Sequence, residues 1–465
     1  MKRYQFLADQ LRQRIERGEL KPGSLLPSIR SLSAQYQLSK NTVIHALEEL
    51  EQASLIQAQA RQGFRICGPK TACPAVKPRH VTLGATAFSV LSATSRPGLL
   101  ALGSAHPDPQ WPAVQWFYRQ LARHSRERSE DQQRIGHYST PPGDPGLRTA
   151  LADHLNATAF ACSSEEIIIT QGAQEAISLS LKTVAQPGDI VAVESPCYYG
   201  TLQCIEALGL KVLEIPADAV AGSNLQALEL ALEQWPVKAL LTNPSFNNPL
   251  GFSLDIGKRQ QLIQLANRFD LTIIEDDVFA ELNFQGMRPT PLKALDTEQR
   301  VLHCGSFSKS LDTDIRLGWV LPGRHYEQLN YLKYVTSIAC PGLMQQCAAE
   351  LLKGRRYRRH LSQVSRTYSE RAEQLADDVR TYWPKDTQLV VPQGGMAQWV
   401  ELPKQVDSDQ LFQQALQQAI GMSPGNLFCT DQRYCHHLRL CFSNYKGDEQ
   451  QRTAIARVGE MMQSF

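Results

Sequence analysis

The sequence predicts two structural parts, a small helical N-terminal domain and a large α/β domain with a mostly parallel sheet. In the first part, three short helical patterns precede one hairpin pattern. In the second, short apolar runs alternate with helix-length stretches, as in parallel strands joined by helical crossovers. We place the first domain at residues 1–68, a tether at 69–97 and the second domain at 98–465.

Composition limits the function classes. The 48 Lys and Arg residues nearly balance the 46 Asp and Glu residues, for a net charge of +2, so any surface for nucleic acid must be local. Eleven cysteines without a signal peptide predict reduced thiols in a soluble, cytoplasmic protein, and no apolar run is long enough to span a membrane. Cys435, His436, His437 and Cys441 do not have the spacing of a zinc site, so we expect no metal.

The N-terminal domain has the pattern of a winged helix-turn-helix. Apolar residues recur at helical spacing from Tyr4 to Ile15, and a second helix is predicted from Ile29 to Tyr36. Ser39 is a good N-cap for a third helix that follows a tight join. Residues Gln57 to Ile66 then predict a small hairpin, which would form the wing.

Several polar residues of this domain are suited to DNA. The start of the third helix would offer hydrogen-bonding side chains to phosphates and base edges: Ser39, Lys40, Asn41, Thr42 and His45. The hairpin would present Arg61 and Arg65. The alternative is a three-helix adaptor or dimerisation module, because solvated polar helix faces are common.

The tether is rich in proline and in basic residues, a composition typical of semi-rigid spacers. Within it, the run from Val81 to Leu91 could pack on the domain that follows.

Strand predictions place the functional residues of the large domain. Six apolar runs are predicted as strands: Glu166–Thr170, Asp189–Glu194, Lys211–Ile215, Ala239–Asn243, Leu271–Asp276 and Val301–Gly305. In parallel α/β sheets, ligands bind at the carboxyl ends of the strands. The residues that could bind a ligand or take part in a reaction follow these runs.

The most informative of them is Lys309. It follows the last predicted strand, between Ser308 and Ser310, and Arg316 lies seven positions further on. A lone lysine in a serine-rich turn is usually solvated. An amine at a strand end with hydroxyls and an arginine is also what a site needs to hold an aldehyde as a Schiff base and to bind its phosphate. The aldehyde would be pyridoxal phosphate.

Other strand ends carry weaker signals. A turn of small residues after Thr170 opens a helix whose backbone N–H groups could approach an anion. Tyr198 could stack on a planar ring, and Asn248 lies in a turn that could serve a ligand hydroxyl. Asp276 could pair with a protonated pyridine nitrogen, although capping the next helix is an equal alternative.

The N-terminal segment resembles a known family. From Tyr4 to Ile66 it closely resembles the winged helix-turn-helix domain of the GntR family, on these runs: Leu20-Lys21-Pro22-Gly23, Leu26-Pro27-Ser28-Ile29-Arg30, Leu38-Ser39-Lys40-Asn41-Thr42-Val43 and Ala46-Leu47-Glu48-Glu49-Leu50. The resemblance implies that Arg30 contacts a phosphate or base edge and that the third helix lies at the major groove. Gln62 and Gly63 would lie at the wing tip.

The large segment resembles fold type I aminotransferases in the order and spacing of its motifs: Gly172-Ala173-Gln174, Pro196-x-Tyr198, Asn248-Pro249-x-Gly251, Asp276, Ser306-x-Ser308-Lys309, Arg316 and Leu438-Arg439-Leu440. With a GntR-type N-terminal domain joined to this segment, the chain is similar to the MocR subfamily of bacterial transcriptional regulators. The resemblance implies a large domain with a smaller C-terminal α+β subdomain, bound pyridoxal 5'-phosphate and a homodimer.

Residue roles follow from that resemblance. Lys309 would hold the cofactor, Asp276 its pyridine nitrogen, Asn248 its ring hydroxyl and Tyr198 its ring face. The phosphate would be held by Ala173, Gln174, Ser306, Ser308 and Arg316. Arg439 would receive the carboxylate of an amino-acid-like effector. Tyr138 would reach the phosphate of the neighbouring subunit.

Two departures from the family pattern weaken the expectation of catalysis. Phe279 stands where many relatives have a tyrosine that bonds the ring hydroxyl. In Asp312-Thr313-Asp314 the usual Pro-Gly is absent, and the two acids add negative charge between Lys309 and the phosphate arginine.

Three functions remain open from the sequence. The leading prediction is a regulator that binds double-stranded DNA and senses pyridoxal phosphate, an amine or an amino acid. The others are an active aminotransferase with a DNA-binding appendage, and a regulator whose second domain has lost the cofactor and serves as a dimerisation scaffold.

Overall fold

The computed structural model describes residues 3–16, 25–52, 56–59, 63–66, 76–83, 88, 90, 92, 98–131 and 136–465. The chain divides into two compact units, Met1–Ala75 and Val76–Phe465. Among the described residues, no helix is both long and apolar enough to cross a membrane.

The first unit confirms the predicted winged helix-turn-helix. Its elements are the helices Arg3–Glu16, Ile29–Tyr36 and Lys40–Gln52 and the antiparallel strands Ile56–Gln59 and Gly63–Ile66. The third helix begins where Ser39 predicts, because the Ser39 Oγ accepts the backbone N–H of Thr42 at 3.2 Å. Leu11, Leu32 and Leu47 are fully buried in a core that the three helices share. Arg61 and Gln62 of the predicted wing lie outside the described residues.

The second unit contains one large sheet and a smaller subdomain. Its helices of eight residues or more are Pro112–Glu130, Pro145–Thr158, Ala173–Val184, Tyr199–Ala207, Leu225–Gln234, Ile256–Arg268, Tyr326–Ser337, Gly342–Leu352, Arg356–Tyr382, Ser408–Gln417 and Glu449–Met462. The large sheet has the strand order Arg79–His80, Lys211–Asp218, Ile190–Ser195, Val237–Thr242, Thr272–Asp276, Val301–Ser306, Gly318–Leu321 and Ile168–Thr170. The short strand Gly222–Ser223 pairs with Lys211–Asp218 outside this order.

All six strands predicted from apolar runs lie in this sheet. Five of them, from Lys211–Asp218 to Val301–Ser306 in the sheet order, pair in parallel. Gly318–Leu321 runs antiparallel to both of its neighbours, so the sixth predicted strand, Ile168–Thr170, joins the sheet through it. The carboxyl ends of Thr272–Asp276 and Val301–Ser306 therefore lie side by side, which brings Asp276 close to the start of the lysine turn.

Part of the predicted tether belongs to the second unit. Arg79 and His80 pair antiparallel with Val212 and Lys211 at the edge of the sheet. Val81 and Leu83 are buried in the same core cluster as the central strands, which agrees with the expectation that this run packs on the large domain.

The C-terminal part forms the expected α+β subdomain. Four short strands make an antiparallel sheet in the order Gln388–Leu389, Ala397–Glu401, His437–Cys441 and Ser423–Pro424. The helices Arg356–Tyr382 and Glu449–Met462 pack together beside it, and their apolar faces share one core with the sheet. Arg439 lies in a central strand of this sheet, opposite Trp399 and Ser423.

Candidate functional site

A cavity of about 610 Å³ opens at the carboxyl ends of the central strands. Nine of the residues predicted for the cofactor line it: Ala173, Gln174, Tyr198, Asn248, Asp276, Ser306, Ser308, Lys309 and Arg316. A smaller cavity of about 120 Å³ shares Tyr198, Asn248 and Lys309 with it and adds Arg439. The structure therefore brings these nine predicted residues together from six separate stretches of chain.

Lys309 lies in the short helix Phe307–Ser310, which directly follows a buried strand. Ser306 caps this helix, because its Oγ accepts the backbone N–H of Ser308 at 3.0 Å. The Lys309 Nζ donates to the carbonyl oxygen of Ala105 at 2.8 Å. Burial, followed by the charge of Arg439, lowers the pKa of Lys309 to about 8. Near physiological pH, this amine is therefore neutral and nucleophilic far more often than an ordinary lysine.

Asp276 ends its strand with its side chain in the same cavity, and the residue is 8% exposed. Among the described residues, no cation lies within ion-pairing distance of its carboxylate; its Oδ1 accepts only a long bond of 3.4 Å from the Val278 N–H. Burial raises the pKa of Asp276 to about 7. A buried carboxylate in this condition fits the protonated ring nitrogen of pyridoxal phosphate, which would supply the missing positive charge.

The phosphate-binding residues form a cup at the N-terminus of the helix Ala173–Val184. Gly172 precedes this helix with a φ of +83°, and a Cβ there would lie 2.6 Å from Arg316 Nη2, so the close approach of the arginine requires glycine. Arg316 Nη1 donates to the Ser308 Oγ at 3.1 Å. The cup thus combines a guanidinium, hydroxyls and free helix N–H groups, the donor set that suits a phosphate dianion.

Gln174 differs from the rest of this set. Its side chain donates to the carbonyl oxygen of Gly200 at 3.0 Å and approaches the Cys204 Sγ at 3.0 Å. The group of Gln174 that is available at the helix N-terminus is therefore its backbone N–H.

Arg439 is held rigidly beside Lys309. The residue is 2% exposed, and its guanidinium carbon lies 5.7 Å from the ring centroid of Tyr199 and 5.0 Å from that of Phe428. Its Nη1 donates to Asn248 Oδ1 at 2.9 Å, and its Nη2 donates to the carbonyl oxygen of Gly103 at 2.6 Å. A buried arginine fixed at the wall of the smaller cavity can recognise a carboxylate.

Tyr138 is 76% exposed and does not line the cavity of its own chain. Its predicted contact with the phosphate of a neighbouring subunit stays a prediction.

The predicted DNA-contacting residues lie on the surface of the first unit. Arg30, Ser39, Lys40, Asn41 and His45 are exposed, and Thr42 is half-buried. His45 Nδ1 lies 3.0 Å from Glu48 Oε2, so part of its hydrogen-bonding capacity is used locally. Gly63 begins the second strand of the hairpin, while Arg61 lies outside the described residues.

Several residues of the site were not predicted from the sequence. His106 lines both cavities, and Tyr199 contributes the ring near Arg439. One sequence feature could have identified His106. It is a polar residue between Ala105 and Pro107, in a run of small residues that follows an apolar stretch. The phenylalanine noted as a departure, Phe279, also lines the larger cavity and is 2% exposed.

The two unusual acids have different surroundings. The Asp312 carboxylate accepts the backbone N–H of Asp314 at 2.8 Å, so it is used to form the turn, and the residue is 8% exposed. Asp314 is exposed and lines the larger cavity.

The unpaired state of Asp276 leads to a prediction about stability. The carboxyl has a folded pKa of about 7 against an ordinary value of 3.8, so its protonation favours the folded state at low pH, and this contribution is lost progressively as pH rises from 3.8 to about 7. At pH 8 the cofactor-free protein therefore carries an uncompensated buried charge. We expect Asp276→Asn to raise its Tm by roughly 2 °C at pH 8 and to raise it less at pH 5, where only part of the penalty is present.

Thermal unfolding followed by circular dichroism tests this expectation in the cofactor-free protein. The same variant should retain pyridoxal phosphate less well after dialysis, because the amide does not favour a protonated ring nitrogen. A lower Tm at pH 8 would contradict the assignment of Asp276 as an uncompensated charge.

Comparison with known proteins divides the chain in the same way. Residues 3–66 match bacterial regulatory proteins of the gntR family, and residues 118–458 match aminotransferases of class I and II. The uncharacterized HTH-type transcriptional regulator YjiR of Escherichia coli (strain K12) is 36% identical over 99% of this chain and 98% of its own length.

Solved structures similar to this chain include aminotransferases. The kynurenine aminotransferase of Pyrococcus horikoshii has a TM-score of 0.74 and 26% identity, covering 82% of this chain and 95% of its own. LysN, an α-aminoadipate aminotransferase from Thermus thermophilus, has a TM-score of 0.74 and 28% identity, covering 82% and 96%.

Proposed function

The chain belongs to the MocR subfamily of GntR-type transcriptional regulators, and on that premise we propose that it is a cytoplasmic, homodimeric regulator that reads an amine or amino acid through bound pyridoxal 5'-phosphate. Its N-terminal domain is a DNA-binding domain of the GntR type. Its second domain has the fold of pyridoxal phosphate-dependent aminotransferases.

One observation carries the proposal for the second domain. Lys309, Asp276 and Arg316 line a single cavity, and each is matched to a different part of the cofactor: an amine for the aldehyde, a carboxylate for the ring nitrogen and a guanidinium for the phosphate. The cofactor, once bound, supplies an electrophilic carbon that an incoming amine can attack. Arg439, at the adjoining cavity, would orient a ligand that also carries a carboxylate.

We assign the exposed residues at the start of the third helix, together with Arg30, to the DNA interface. Two such heads in a homodimer would bind two half-sites, so a ligand-dependent change in the second domains would alter how the heads are spaced on DNA. Tyr138, exposed on its own chain, would complete the phosphate site of the partner.

The test is DNA binding under control of the small molecules. Fluorescence anisotropy with DNA from the protein's own promoter region would be measured at one salt concentration, with and without pyridoxal phosphate and with a panel of amines and amino acids. We expect at least one ligand to change the apparent Kd by severalfold in the cofactor-loaded protein and to have no effect on the cofactor-free protein. Identical Kd values under all conditions would contradict sensing.

An active aminotransferase with a DNA-binding appendage is the second candidate, favoured by the lowered pKa of Lys309. Incubation with an amino acid and an oxo acid separates the two functions. Sustained turnover would favour the enzyme, whereas a spectral response without turnover would favour the sensor.

A further inference from the structure

His106 and Asp314 are polar side chains at the cavity that have no role in the cofactor assignment. His106 borders both the larger cavity and the smaller one that contains Arg439, so it lies where the two cavities meet. Asp314 lines the larger cavity only. A ligand whose carboxylate binds Arg439 and whose amine reaches Lys309 would extend the remainder of its structure from the smaller cavity into the larger one.

The charges at this junction are unequal. The pKa of His106 lies below its ordinary value, because burial and then the charges of Lys309 and Arg439 lower it, while Asp314 acts in the opposite direction. Asp314 is exposed, and its side chain is in no ion pair with another described residue. Its neighbour Arg316 is already bonded to the Ser308 Oγ and the Gln171 carbonyl oxygen. Asp314 therefore places a solvent-exposed carboxylate without a paired cation on the wall of the larger cavity.

We propose that the effector is an α-amino acid whose side chain ends in a second cation, with its carboxylate at Arg439 and its distal cation at Asp314, beyond His106. This inference rests on the proposed sensing function and specifies its ligand class. An acidic side chain would be repelled by Asp314. An apolar side chain would displace water from the Asp314 carboxylate without replacing the hydrogen bonds that the water made. Asp314 acts in this scheme as a specificity-determining residue.

Spectral titration of the cofactor-loaded protein tests the charge preference directly. Lysine, norleucine and 2-aminoadipate have side chains of similar length with a positive, neutral and negative end. We expect lysine to shift the cofactor band at a concentration about tenfold lower than norleucine, with 2-aminoadipate the weakest. Equal or tighter binding of norleucine or 2-aminoadipate would overturn the proposal.

Substitutions at Asp314 assign the preference to this residue. In Asp314→Asn, the affinities for lysine and norleucine should come within about threefold of each other, whereas Asp314→Glu should keep the preference for lysine. Asp153→Asn, which removes an exposed acid from the helix Pro145–Thr158, is the matched control and should behave like the native protein. A lysine preference that persists in Asp314→Asn would overturn the assignment to Asp314.

The outcomes also separate this inference from the proposed function. A cofactor band that responds to amino acids without regard to side-chain charge would support the sensing function but contradict the proposed ligand class. A cofactor band that responds to none of the three amino acids would count against amino-acid sensing itself and so against both.

Discussion

Replacing Lys309 by alanine is expected to abolish the covalent attachment of pyridoxal phosphate, the largest single effect that the site predicts. Lys309 is the lysine that lines the cavity, and its Nζ is buried beside Asp276 and Arg439. Borohydride treatment followed by mass spectrometry should find the cofactor on Lys309 in the native protein and no adduct in Lys309→Ala. The visible absorption band should disappear with it.

The pH dependence of attachment provides a second readout. A lysine pKa of about 8 means that the neutral amine increases as pH rises through this value, so cofactor-free protein should react with pyridoxal phosphate faster at pH 8.5 than at pH 7. Lys258→Ala, on the helix Ile256–Arg268, is the control and should leave the adduct unchanged. An adduct on another lysine, or a native protein that cannot be loaded with pyridoxal phosphate, would contradict the assignment of Lys309. The second domain would then share only its fold with aminotransferases.

Local signals explain why much of this architecture was predictable from the sequence. Each central strand is a continuous apolar run because both faces of the sheet are covered, and helix-length stretches separate the runs. The lysine turn was visible for a related reason, since small hydroxylated residues replace an apolar run at the point where the chain leaves the sheet. The Ser39 cap likewise depends only on residues within one turn of helix.

Long-range contacts explain what was missed. Arg439 bonds to the Gly103 carbonyl and to Asn248, which are 336 and 191 positions away in the sequence. The strand Ile420–Gly421 pairs with Leu100–Ala101 and so fixes the segment that carries His106 near the C-terminal subdomain. No periodicity or spacing encodes such pairings, because they depend on how the completed subdomains pack.

The contacts of Arg439 and Lys309 also show that one short chain segment positions two side chains of the site. Both side chains donate to carbonyl oxygens of the same short stretch, Gly103 and Ala105. Asn444 donates to the carbonyl oxygen of the next residue, His106, at 2.8 Å. Because these donors hold this stretch, together with the Ser423 hydroxyl, which also donates to the Gly103 carbonyl oxygen, the ligand-binding end of the cavity is organised by backbone oxygens as well as by the residues recognised from motifs.

Removal of both Arg30 and Thr42 side chains is expected to weaken binding to the protein's promoter region by about a hundredfold, since each contact to phosphate or base contributes roughly 1–3 kcal/mol. Arg30 is exposed on the second helix, and Thr42 lies in the first turn of the third. The third helix should survive the double substitution, because the Ser39 Oγ accepts the backbone N–H of residue 42, which alanine retains.

Anisotropy measured over a range of salt concentrations distinguishes a lost contact from a lost fold. If Arg30 binds a phosphate, Arg30→Ala should reduce the slope of log K against log salt by about one, whereas Thr42→Ala should leave the slope nearly unchanged. Gln13→Ala on the first helix and Lys404→Ala in the second unit replace exposed residues and should bind DNA like the native protein. The cofactor spectrum of the double variant should also be native, because Lys309 and its partners belong to the other compact unit. Loss of both DNA binding and the spectrum would indicate misfolding, and unchanged affinity would remove Arg30 and Thr42 from the interface.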